Sequence, residues 1–137
     1  MKSARSTNAI YLVAIILVSM TMPVAAQELS AKVMPAEAKG LVAMALHKDG
    51  HTAFLELQEY DHRYPYYVVE WLGFANGANG YFDVNLWTGE VWDMFSCKKL
   101  TSRSLRKAQA EIRRRFMPAE WRQYVKTYSK MAMCMGY

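Results

Sequence analysis

Three histidines lie close together in this 137-residue chain, at positions 47, 51 and 62. Imidazole nitrogens are common ligands of zinc and copper, and two histidines four positions apart share one face of a helix. Asp49-Gly50, however, favours the end of a helix between His47 and His51. Solvated loop histidines are therefore the interpretation we favour, and a metal site that uses His47, His51 and His62 is the alternative.

A second set of possible metal ligands surrounds Cys134, where Met131, Met133 and Met135 alternate along the chain. Thioethers beside a thiol suit the soft ion Cu(I). On a helix, however, residues two apart point in different directions, and methionine commonly serves as packing material. We expect packing here, with copper as the alternative, and we predict no cofactor.

Sequence motifs for covalent or metal-assisted hydrolysis do not occur. The chain contains no GxSxG, no HExxH and no glycine-rich phosphate loop. A cysteine hydrolase would need Cys97 or Cys134 as a free thiol paired with a histidine. We therefore predict that the protein is not an enzyme.

The two cysteines have a simpler explanation if the chain is exported. An even pair in an oxidising compartment usually forms a disulfide, here between Cys97 and Cys134. Such a bond would close a loop of about 37 residues and contribute roughly 3–4 kcal/mol to stability. It would also attach the C-terminal helix to the end of a β-hairpin.

The N-terminus predicts export. Lys2 and Arg5 precede nine uncharged residues at 10–18, and Ala26 ends a run of small residues before Gln27. This is the pattern of a cleavable secretory signal. We predict a signal peptide at 1–26 and a single domain at 27–137, periplasmic or secreted, with no stable membrane anchor after cleavage.

A tyrosine-rich segment is the most distinctive stretch of the predicted domain. Residues 60–67 read YDHRYPYY, four aromatic rings mixed with charge and stiffened by proline. This composition is typical of protein-recognition surfaces. The candidate contact residues are Tyr60, Asp61, His62, Arg63 and Tyr64, together with Asn76 and Asn79 of the loop at 76–80. The alternative is that some of the rings belong to the core, notably Tyr67.

Charge divides the predicted domain into two halves. Residues 27–97 carry four basic and ten acidic side chains, whereas residues 98–137 carry eleven basic and two acidic ones. The halves either pack together and offset each other, or form an acidic and a basic face for charged partners. Nucleic acid is not an expected partner of an exported protein.

Hydrophobic spacing predicts the elements that must position these residues. A helix is expected over 35–47 and a strand over 66–71. A hairpin with a three-residue turn at Thr88-Gly89 is expected over 81–95. Residues 52–60 suit a strand or a helix. Two helices should follow, one capped by Thr101 or Ser102 and one beginning at Pro118. The fold class is therefore α+β, with an N-terminal helix, an antiparallel sheet of three or four strands, and two C-terminal helices packed on one face.

The hairpin sequence GYFDVNLWTGEVWD at 80–93 resembles the strand–TGEV–strand unit of PepSY-like domains. With Cys97 and the helix start LTSxxLRK, residues 66–116 also resemble small periplasmic immunity or inhibitor proteins. The resemblance implies a small exported module, often linked to protease inhibition, with no catalytic residue to carry over. We predict a binding protein that neutralises another envelope or secreted protein. The alternatives are a copper- or zinc-binding protein and a structural envelope component.

Overall fold

The computed structural model describes residues 28–48, 51–59, 61, 63–73, 80–130 and 134, so the predicted signal peptide lies outside it. Three helices and one five-stranded antiparallel sheet occupy these ranges. The elements are α1 (Pro35–Ala45), β1 (Leu55–Leu57), β2 (Tyr66–Trp71), β3 (Gly80–Asn85), β4 (Val91–Asp93), β5 (Lys98–Leu100), α2 (Arg103–Arg114) and α3 (Pro118–Thr127). The predicted α+β class is confirmed.

The sheet is a meander in which each strand pairs with the next one along the chain. Successive side chains of a strand point to opposite faces, so Tyr67, Val69 and Trp71 share one face of β2. All three are buried, so Tyr67 belongs to the core, as the alternative interpretation of the tyrosine-rich segment had it. Their cross-strand neighbours on β3 include Phe82 and Val84. We call this side of the sheet the inner face.

Helices α1 and α2 pack against one another, and α1 also contacts strands β1 to β4. Pro35 occupies the first turn of α1, where its missing N–H is not needed. The hydroxyl oxygen of Ser102 accepts a hydrogen bond of 3.0 Å from the Leu105 backbone and caps α2 as predicted. Apolar side chains from both helices join the inner face in one core: Ala38, Leu41, Val42, Ala45, Leu105 and Ile112.

Helix α3 packs at the hairpin end of the molecule through its aromatic side chains. Tyr124 is buried, and its ring centroid lies 5.9 Å from that of Trp87. Val125, the next residue along the helix, is 45% exposed. Consecutive helical residues point about 100° apart, so the burial of Tyr124 turns Val125 outward.

The hairpin differs from its prediction at the turn. The Asn85 N–H donates to the Glu90 carbonyl at 2.9 Å, which leaves four residues, 86–89, in the loop rather than three. The Asn85 side chain accepts hydrogen bonds from the backbone N–H groups of Trp87 and Thr88. Gly89 has a φ of +69°, and a Cβ there would lie 2.7 Å from Ile112. Glycine is therefore required by both conformation and space.

The fifth strand was not predicted. Lys98–Leu100 is short and carries two lysines, so it shows no recognisable alternation. Lysines on a short edge strand discourage pairing with another chain. Within the described ranges, no helix has both the length and the apolar character needed to cross a membrane.

Candidate functional site

A tight turn immediately before β2 holds part of the predicted recognition segment. The Asp61 carboxylate accepts a hydrogen bond of 3.0 Å from the Arg63 N–H, and the Tyr64 N–H donates to the Asp61 carbonyl at 3.0 Å. The same carboxylate pairs with the Arg63 guanidinium through two nitrogens. This pairing raises the pKa of Arg63 above its ordinary value. Asp61 therefore fixes the position of Arg63.

Tyr64 is the exposed aromatic side chain of this turn, with 42% of its surface accessible. Its ring stacks on the buried ring of Tyr66, with 5.4 Å between centroids. The Arg63 guanidinium lies 5.7 Å from the Tyr64 centroid. We call Arg63, Tyr64 and Tyr66 the aromatic ridge. Stacking on a buried ring limits the freedom of Tyr64 before any partner binds.

A groove of about 450 Å³ runs beside the ridge. The Trp87 indole N–H donates to the Leu29 carbonyl at 3.1 Å, and its ring lies 4.3 Å from that of Tyr128. These contacts join the N-terminal segment, the hairpin loop and the end of α3 into one wall. The lining residues are Glu28, Leu29, Ser30, Ala31, Arg63, Tyr64, Pro65, Leu86, Trp87 and Tyr128.

The structure brings together three of the predicted contact residues, Asp61, Arg63 and Tyr64. Tyr60, His62, Asn76 and Asn79 lie outside the described residues. Sequence reasoning missed the groove wall, because Leu29, Trp87 and Tyr128 are far apart in the chain. The available signal is Trp87, which directly precedes the turn at Thr88-Gly89, and a tryptophan in that position indicates burial rather than a groove.

A larger cavity, of about 720 Å³, opens on the side of the sheet opposite the inner face. We call this side the outer face; it carries Val68, Tyr81, Asp83 and Trp92. The cavity is lined by Gln58, Val68, Tyr81, Met94, Phe95, Cys97 and Cys134. Tyr81 also donates a hydrogen bond of 2.9 Å to Glu70, so the rim is partly polar.

The predicted disulfide is not formed in this structure. Cys97 and Cys134 are both free thiols, although they line the same cavity. The Cys97 sulfur lies 4.0 Å from the Cys134 carbonyl oxygen, and the Cys134 sulfur lies 3.9 Å from the Asp93 carbonyl oxygen. Each thiol is therefore directed at a carbonyl rather than placed for an S–S bond. Their covalent pairing stays a prediction.

Asp83 is a buried carboxyl group on the outer face. It alternates with Phe82 and Val84 along β3, and only 1% of the residue is exposed. Burial raises its pKa from 3.8 to about 7. Among the described residues, its Oδ1 has no hydrogen-bond partner, and neither has Nε1 of Trp92, the residue opposite it on β4. Burial also raises the pKa of the Cys134 thiol to about 12, with smaller contributions from Cys97, Asp83 and Asp93.

A metal site at His47 and His51 would require the two residues to share one face of a helix, and they do not. Helix α1 ends at Ala45, and His47 has a left-handed backbone with φ of +57°. His47 and His51 therefore do not share a helix face. In the ranges given above, no three His, Cys, Asp or Glu side chains converge to hold a metal. The methionines at 131, 133 and 135 lie outside those ranges.

Ion pairs connect the two oppositely charged halves of the domain. Lys32 pairs with Glu120, Arg115 with Glu37, and Lys99 with Glu90. Each pair joins a side chain from residues 27–97 to one from residues 98–137. The interpretation that the halves offset each other's charge is therefore supported at these three positions.

Comparison with known proteins gives little. No family model matches the chain, so the resemblance to PepSY-like domains is not supported by a family match, and no curated protein matches it either. A solved structure described as a type VI secretion system effector–immunity complex from Pseudomonas protegens aligns with 71% of this chain and 91% of its own. Its TM-score is 0.48 and its sequence identity 23%, too low to bear on function.

Proposed function

We propose that this protein binds another protein through the aromatic ridge and the adjacent groove, and acts by covering a functional surface of that partner. The observation that carries the proposal is the Tyr64 ring, which is exposed to solvent yet held by stacking on Tyr66 and by the Asp61–Arg63 pair. An inhibitor or an immunity protein acts in this way, and no reaction by the protein itself is required.

The physical support comes from the residue types and from their order in the free protein. Tyrosine and arginine are enriched among residues that dominate binding energy at interfaces. A side chain that is already ordered loses less conformational entropy on binding. Tyr64 is ordered by a buried ring and Arg63 by a neighbouring carboxylate, so both meet this condition.

The groove supplies the apolar surface that such an anchor needs beside it. Trp87 and Tyr128 form an aromatic wall, and Leu86 and Pro65 add aliphatic surface. Because Asp61 already neutralises Arg63, we expect the partner to offer an apolar or aromatic side chain to the groove rather than a cluster of carboxylates. The proposed place of action is the periplasm or the cell exterior, which rests on the predicted signal peptide.

Site-specific photocrosslinking tests the proposal even while the partner is unidentified. A benzophenone amino acid replaces Tyr64 in the producing cell, and covalent adducts are identified by mass spectrometry. The matched control carries the same group at Phe95, which is 76% exposed and lines a different cavity from Tyr64. We expect one protein to be captured from position 64 and not from position 95.

The captured protein is then purified, and its affinity for the unmodified chain and for one variant is measured. Tyr64→Ala should weaken binding by about thirtyfold, which corresponds to the loss of roughly 2 kcal/mol at an interface anchor. Its melting temperature should stay close to that of the unmodified chain, because Tyr64 is largely at the surface. Equal affinity of Tyr64→Ala and the unmodified chain would refute the ridge as the binding site.

A further inference from the structure

The outer-face cavity places sulfur atoms from two distant parts of the chain together. Cys97 lies in the turn between β4 and β5, and Cys134 lies 37 positions further on. The Cys97 sulfur lies 4.0 Å from the Cys134 carbonyl oxygen, and both residues line the cavity. Met94, three positions before Cys97, lines the same cavity.

The backbone at Cys97 has an unusual conformation for its residue type. Its φ of +49° falls in the left-handed region, which residues with a side chain other than asparagine or aspartate rarely adopt. Backbone strain of this kind costs about 1–3 kcal/mol and concentrates at functional sites. The strained residue here is Cys97 itself, whose side chain is exposed to solvent.

Backbone carbonyl oxygens face both thiols. The Cys134 sulfur lies 3.9 Å from the Asp93 carbonyl oxygen, and the Cys97 sulfur lies 4.0 Å from the Cys134 carbonyl oxygen. These oxygens carry no formal charge, so the identity of a bound ion follows from the sulfur donors. Thiolate and thioether sulfur select soft ions, above all Cu(I), whereas zinc sites normally require four nitrogen, sulfur or oxygen ligands.

We propose that Cys97 and Cys134 bind one Cu(I) ion, with the Met94 thioether as a third and weaker ligand. Each thiol releases its proton as its sulfur binds the metal. One Cu⁺ and two thiols therefore give a copper bis-thiolate with a single negative charge and two released protons. Copper stays in the +1 state, so no oxidant or reductant takes part.

This site is separate from the aromatic ridge, which lies at the start of β2 and faces the groove. Copper binding and protein binding therefore rest on different residues and can fail independently. A disulfide and a copper complex are alternative fates of the same two thiols. Reduction of the protein before the measurement removes the first alternative.

An anaerobic competition titration tests the copper site. The full chain is reduced, freed of reductant by gel filtration, and titrated against the coloured complex of Cu(I) with bicinchoninate. We expect the chain to withdraw one copper ion per molecule. Cys97→Ser and Cys134→Ser should each abolish this withdrawal. Met94→Leu should weaken it by about tenfold, the lower end of the range for residues that support a metal site.

Two controls separate the proposed site from general sulfur chemistry. Met117→Leu removes a methionine that is 67% exposed on a different part of the surface, and it should leave copper affinity unchanged. X-ray absorption at the copper edge should show a shell of sulfur alone. Retained binding in the Cys97→Ser/Cys134→Ser double variant, or nitrogen in the copper shell, would overturn the proposal.

Discussion

The two faces of the sheet differ in what covers them and in how they treat polar groups. The inner face presents Tyr67, Val69, Phe82 and Val84 to helices α1 and α2, and all four side chains are buried. The Tyr67 hydroxyl donates to the Val33 carbonyl at 3.2 Å, so the polar atom of its buried side chain is satisfied. The inner face is thus an apolar core in which the Tyr67 hydroxyl is hydrogen-bonded.

The outer face combines the opposite properties. Among the residues that the structure describes, the buried Oδ1 of Asp83 has no hydrogen-bond partner, and Phe95 is 76% exposed beside an open cavity. A buried polar atom without a partner costs about 1–3 kcal/mol. The comparison indicates that the inner face supplies the stability of the fold, whereas the outer face tolerates groups that oppose it.

Truncation of matched neighbours on β3 provides the strongest test of this contrast. Phe82→Ala removes an inner-face ring that is 3% exposed and should cost about 3–5 kcal/mol of unfolding free energy. Tyr81→Ala, one residue away on the outer face, should cost only about 1–2 kcal/mol because its ring is half-buried. Urea denaturation measures both. Equal costs at the two positions would remove the distinction between the faces.

The pH dependence of stability tests the outer face specifically. Below about pH 4 the Asp83 carboxyl is protonated in the folded and the unfolded chain. As the pH rises to about 7, only the unfolded chain loses this proton, so stability falls. The interval between 3.8 and about 7 corresponds to a loss of roughly 4 kcal/mol at most.

Asp83→Asn removes the titrating group while keeping its size. The variant should be more stable than the unmodified chain at pH 8, and the difference should disappear near pH 4. Urea denaturation at a series of pH values provides the measurement. If the difference between the two proteins is the same at pH 4 and pH 8, the carboxyl of Asp83 is not held protonated by burial.

The Glu37 carboxylate of helix α1 should affect the pH dependence of stability in the opposite direction and by a smaller amount. The hydrogen bond from Arg115 lowers the pKa of Glu37 below 4.5, and the Met34 N–H contributes further. The resulting stability is present above pH 4.5 and is lost as the pH falls through the lowered pKa. Both side chains are about one-third exposed or more, so Glu37→Gln should cost at most about 1 kcal/mol at pH 7.

A double-mutant cycle with Arg115→Gln isolates this pair from the hydrogen bond that Arg115 also donates to the Lys32 carbonyl. The coupling between the two positions should be largest at pH 7 and decrease as the pH falls below 4.5. A coupling of the same size at pH 7 and at the lowest pH at which the protein stays folded would mean that the Glu37 carboxylate is not its source.

Local signals predicted most of the secondary structure. Pro35 and Pro118 begin helices, Ser102 caps one, and the β-branched and aromatic residues at 66–71 form an inner-face strand. Each of these signals lies within one element and depends on backbone chemistry that the residues carry with them. The composition of the tyrosine-rich segment did not separate its rings, since Tyr64 is exposed whereas Tyr66 and Tyr67 are buried.

Several features depend on residues that only packing brings together. The groove wall joins Leu29, Trp87 and Tyr128 across the whole described chain. The proximity of Cys97 and Cys134 is a contact over 37 positions; the sequence indicated a pair, but the structure placed both thiols against carbonyls. No local pattern encodes distances between remote elements.

Asp83 shows most directly which property follows from the local sequence and which one depends on tertiary structure. Alternation along β3 places it on the face opposite Phe82, because side-chain direction along a strand is a property of the backbone. Whether that face meets water depends on how the rest of the chain packs, and only 1% of Asp83 is exposed in the folded protein. Side-chain direction was therefore determined by the sequence of one strand, whereas burial, and with it the raised pKa, was determined by the packing of the whole chain.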